Sequence, residues 1–133
     1  MANIHLFITS YLMLIIHTFA IFIYQPPFLI FMTYIIGPVV SVWNHGTTSI
    51  LAQFIDRFIM ILGYLIDLLY IYKLKNIYVL ILIHISIISY FISKITKITS
   101  FHLLSHIIII LTHIILLYNY YNYFFMKKNI KNN

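Results

Sequence analysis

Five apolar runs, each near the roughly 20 residues that cross a hydrocarbon core, leave this chain almost no room for anything else. The first extends from about Leu6 to Ile23 and is closed by Tyr24-Gln25-Pro26-Pro27, where the prolines cannot continue a helix. The second, Phe28 to Trp43, contains Gly37-Pro38, where a kink is expected, and stops at a turn formed by Asn44-His45-Gly46-Thr47-Thr48. The third, about Ser49 to Tyr72, carries Asp56, Arg57 and Asp67 and stops at Lys73-Leu74-Lys75-Asn76. The fourth is Ile77 to about Ser93, before Lys94 and Lys97; the fifth is about Thr99 to Tyr121. The pattern predicts an all-α, polytopic transmembrane bundle of about five spans. It forms one domain over residues 1–126, with a basic polar tail over 127–133.

Composition excludes the soluble alternative. With 63% hydrophobic and 8% charged residues and a mean hydropathy of +1.02, the chain lacks the polar surface that a soluble domain of 133 residues needs. The start at Met1 has neither a positive n-region nor a small-residue cleavage site, so the first run reads as a span rather than a removed signal. The net charge of +6 reads as topology and not as nucleic-acid binding, because no basic stripe with interleaved stacking aromatics exists. Threading five spans puts Lys73, Lys75, Lys127, Lys128 and Lys131 on one side and Lys94 and Lys97 on the other. The lysine-rich side is then cytoplasmic, the N-terminus lumenal or external and the C-terminus cytosolic.

In so apolar a chain, polar side chains need a reason. There are no cysteines, so any metal must be held by His, Asp or water. Ser41 and His45 are four residues apart, as are His102 and His106, so each pair shares a helix face. His45 lies at one end of the second run. Asp56 lies about seven residues into the third, ~10 Å below the same membrane face. His102 and His106 lie one and two turns into the fifth, entering from that face too. Three imidazoles and a carboxylate at one depth are a zinc-site inventory.

The matching stretches are Ser41-Val-Trp-Asn-His45, then Gly46 to Ile55, then Asp56, and later His102-Leu-Leu-Ser-His106. On these residues the chain resembles the CREST superfamily of membrane hydrolases. That group includes the alkaline ceramidases, the progestin and adipoQ receptors and the Per1-type remodelling proteins of GPI lipids. The resemblance implies that His45, His102 and His106 bind Zn2+ and leave a fourth position for water. It implies that Asp56 orients and deprotonates that water, and that Ser41 hydrogen-bonds near the site or to the oxyanion. The implied substrate is a membrane lipid amide or ester, ceramide-like or another acyl lipid. The family has seven spans where this chain has room for five. Ser105 stands where ceramidase-like members carry Trp, and Asn44 replaces a common aromatic.

Plainer readings accompany these. His5, His17, His84 and His113 are expected to hydrogen-bond to neighbouring helices, with His113 also placed to act behind the metal or as a fallback ligand. Asp56 can pair locally with Arg57, and Asp67 can serve Lys73 or a helix end. Tyr118 to Tyr123 reads as an interfacial aromatic belt. The alternative function is a non-enzymatic subunit of an organellar or viral membrane complex. Haem between two axial histidines ranks behind it, since bulky Ile and Leu flank the candidates. A hydrolase requires the three histidines and Asp56 to converge; a structural subunit leaves them free to scatter.

Overall fold

A computed structural model describes residues 3–132, with side chains described through Phe125 and at Lys127. Five helices form: α1 (Ile4–Tyr24), α2 (Phe28–Gly46), α3 (Ile50–Leu74), α4 (Ile77–Thr96) and α5 (Thr99–Asn132). The predicted all-α bundle is therefore what the chain adopts. Helices α1, α2, α4 and α5 are long and apolar enough to cross a membrane. Helix α3 has the length, at 25 residues, but carries Asp56, Arg57, Asp67 and Lys73 along it.

Local chemistry sets the ends. Asn3, Ser49 and Asn76 accept the backbone N–H of Leu6, Ala52 and Val79, which satisfies one of the orphan donors of each first turn. Pro27 precedes α2 in the extended conformation. Three helices end in a left-handed residue, and in each case it is not glycine: Gln25, Lys75 and Lys97.

Three boundaries differ from the sequence expectation. Helix α2 continues three residues past Trp43, because nothing in Asn44-His45 blocks helical hydrogen bonding, and it ends where Thr47 turns extended. His45 consequently stands on a helix, not in a turn. Helix α4 extends to Thr96, so Lys94 occupies its last turn. Helix α5 runs through the basic tail to Asn132. The Gly37-Pro38 pair does not end α2, although Pro38 leaves the Tyr34 carbonyl without its helical donor.

The helices pack as an open ring in the order α3, α2, α1, α5, α4, with the sparsest contact where α3 approaches α4. Along the bundle axis the interior changes character. The half remote from Asn3 is closed by Ile21, Ile30, Ile66, Val79, Ile83, Leu116 and Leu117, an ordinary apolar core. The half near Asn3 buries Ser10, Ser41, Ser93, His45, His102, Ser105 and His106 instead. Small hydroxyl residues let helices approach closely and bond across the interface, which is how helices associate when lipid supplies no hydrophobic drive between them.

Candidate metal centre

His45 comes from the last turn of α2, and His102 and His106 come from successive turns of α5. All three are buried, and each offers a nitrogen within 4.8 Å of the others. Their ring centroids lie 4.9 to 5.4 Å apart. Three nitrogens on one zinc stand about 3.4 Å apart, so modest rotation of the rings closes the set.

Two local facts fit an ion. His45 Nε2 is wholly buried with no hydrogen-bond partner among the described residues, a state that costs about 1–3 kcal/mol if it stays unmet. His106 Nδ1 lies 3.0 Å from Thr9 Oγ1. The Thr9 hydroxyl donates to the carbonyls of His5 and Leu6, so it accepts from His106 Nδ1–H. That fixes the tautomer and leaves the His106 Nε2 lone pair for a ligand, the usual arrangement behind a metal-bound imidazole. Sequence reasoning missed Thr9. The hint was present, a Thr beside Ser10 in an apolar span, but its partner sits 97 positions away.

Asp56 and Ser41 flank the triad without joining it. Asp56 Oδ2 accepts from Asn44 Nδ2 at 2.6 Å, while Oδ1 takes no hydrogen bond among the described residues. The expected Asp56–Arg57 pairing does not form; Asn44 holds the carboxylate in its place. Ser10 Oγ donates to the Leu6 carbonyl, so the 3.0 Å bond between Ser10 and Ser41 uses the Ser41 proton. Ser41 thus presents lone pairs to the site. Ser105 is bonded to Ser86 on α4, which ties α4 to α5 beside His106. Asn44 and Ser105 each make a contact between helices.

Two chambers meet at this point. One, about 150 Å3, is mostly apolar and runs inside the bundle past Gly37, Ile59, Gly63, Ile83 and Ile109. The other, about 290 Å3, is polar and lies at the end of the bundle near Asn3. Asp56, Tyr90 and His102 line both. A group placed between the triad and Asp56 therefore has apolar space on one side and polar space on the other.

A second polar cluster lies deeper, and it corrects two expectations. Asp67 does not serve Lys73, whose ammonium rests over the rings of Tyr70 and Phe124. Nor does His113 stand behind the triad. Asp67 instead accepts from Tyr34 at 2.8 Å and bonds His113 Nε2 at 2.9 Å. His113 Nδ1 bonds His17 Nε2 at 2.7 Å, and His17 Nδ1 donates to the Met13 carbonyl at 2.7 Å. Burial makes these partners obligatory, because lipid offers no others. His17 and His113 thus bond to neighbouring helices as expected, as does His84 to Tyr64, whereas His5 lies exposed at the bundle end.

Among protein-family models, curated proteins and solved structures, none matches this chain.

Proposed function

We propose that the protein is a metal-dependent intramembrane hydrolase of a lipid amide or ester, similar to the ceramidase-like members of the CREST superfamily. The observation that carries the reading is the convergence of His45, His102 and His106 at the junction of an apolar and a polar chamber. An amphiphile hydrolysed next to its acyl chain needs that geometry: chain in apolar space, headgroup in polar space, scissile carbonyl between.

The donor set of three imidazoles with no thiolate suits a catalytic zinc with one open position. Such an ion supplies Lewis acidity, lowering the pKa of a water to about 7 and polarising an acyl carbonyl. The chain's residues do the rest. His45, His102 and His106 hold the ion, and Thr9 orients His106. Asp56, kept in place by Asn44 and open at Oδ1, takes the proton of the attacking water and returns it to the leaving group. Ser41 orients that water as an acceptor; bonding to an oxyanion requires its hydroxyl to turn away from Ser10.

The test is fatty-acid release from an N-acyl and an O-acyl single-chain lipid in mixed micelles. Wild type is expected to release acid from at least one, and Asp56→Ala to lose about 10²-fold or more while retaining its metal. Wild type releasing none from either lipid overturns the hydrolase reading. Full activity in Asp56→Ala removes Asp56 as the base. The alternative, a non-enzymatic membrane subunit, calls for no such convergence of buried histidines.

A further inference from the structure

The polar chamber carries information about the headgroup that the hydrolase reading leaves open. Its wall includes two cations, Arg57 from α3 and Lys94 from the last turn of α4, against one carboxylate, Asp56. That carboxylate is already bonded to Asn44. Neither cation makes an ion pair within 4 Å among the described residues, where the one ion pair is His113 with Asp67. Lys94 is held instead over the Tyr90 ring at 5.0 Å, and Tyr90 lines both chambers. Elsewhere in the wall Gln53 and Thr48 supply an amide and a hydroxyl that can donate to an anion, whereas the Thr47 hydroxyl already donates to the Trp43 carbonyl.

The surplus charge is therefore positive before any metal binds, and a divalent ion on the histidines adds to it. A low-dielectric wall on the apolar side focuses that field into the chamber. Neutral headgroups gain nothing from it. A phosphate or carboxylate gains from both cations and bonds to the neutral donors around them.

We propose that the polar chamber is a binding site for the anionic headgroup, phosphate or carboxylate, of a single-chain or diacyl lipid whose chain occupies the apolar chamber. The inference deepens the hydrolase reading by naming the substrate class, and its binding arm can be read without turnover. The two chambers joining at Asp56, Tyr90 and His102 are what select an amphiphile over a free anion.

The experiment uses the full-length, zinc-loaded protein in neutral-detergent micelles. Equilibrium binding is measured for a radiolabelled monoacylglycerol, for the same lipid carrying a phosphate, and for inorganic phosphate as competitor. Fatty-acid release is read on the same samples. The phosphate lipid is expected to bind at least about tenfold tighter than the neutral one. Arg57→Gln and Lys94→Gln should each cost about fivefold for the phosphate lipid and leave the neutral lipid unchanged. Lys97→Gln, a lysine outside the chamber, should change neither.

Equal binding of the two lipids overturns the inference, and so does a Lys97→Gln loss as large as the other two, which would mean diffuse surface charge. Inorganic phosphate competing at the affinity of the lipid also overturns it, assigning the site to a free anion. A binding preference without turnover removes the hydrolase reading and leaves the headgroup site. Turnover with equal binding does the reverse.

Discussion

Thr9 carries no chemistry of its own, yet its hydroxyl decides which nitrogen of His106 is free. Replacing it by Val keeps the shape and removes the acceptor. Thr9→Val is expected to weaken zinc affinity about 10–100-fold, with the helical spectrum intact, and Thr9→Ser to restore most of it. Competition with a chromophoric chelator measures both. Asp67 makes a sharper case. An asparagine there keeps an oxygen for the Tyr34 hydroxyl and offers an amide N–H to His113 Nε2. Asp67→Asn should therefore stay within about 1 kcal/mol of wild type in an SDS unfolding titration. Asp67→Leu, which strands Tyr34 and His113, should cost about 3 kcal/mol. Equal losses in the two variants would mean that the cluster depends on a full negative charge.

Among the elements, the helix ends show what the sequence makes legible. Asn3, Ser49 and Asn76 are ordinary N-cap residues placed before apolar runs, and the Pro-Pro turn reads directly. The end of α4 does not, because Lys97 takes a left-handed conformation that favours glycine, as Gln25 and Lys75 also do. Charge misleads near the same places: Lys94 looks like a loop residue, but a long side chain on a terminal helical turn reaches the membrane interface just as well. Lys75→Gly removes a backbone penalty and is expected to stabilise the bundle by about 0.5–1 kcal/mol, raising its thermal midpoint in detergent. An unchanged or lower midpoint would mean that the Lys75 side chain contributes more than its backbone costs.

For the whole molecule, spacing alone brought out the depth shared by His45, Asp56, His102 and His106, because run length and helical rise fix depth once the spans are threaded. It could not bring out lateral neighbours. The pairing of His17 with His113, Thr9 with His106 and Asn44 with Asp56 depends on the ring order of the helices, which no local pattern encodes. The apolar chamber was equally hidden, since it arises from what is missing: Gly63 has nothing within 4 Å of where a Cβ would stand, and Gly37 only Ile59 at 3.9 Å. Gly63→Leu fills that space, and lipid turnover is expected to fall at least about tenfold while zinc content stays at the wild-type level. Undiminished turnover would mean that the acyl chain lies elsewhere.

Everything in the functional account rests on the three imidazoles acting together, and metal analysis of the purified full-length chain tests that most directly. Wild type is predicted to hold one zinc per chain after dialysis, and His102→Ala, stripped of the ligand between His45 and His106, to hold almost none. Wild type without zinc, or His102→Ala retaining as much as wild type, would contradict it.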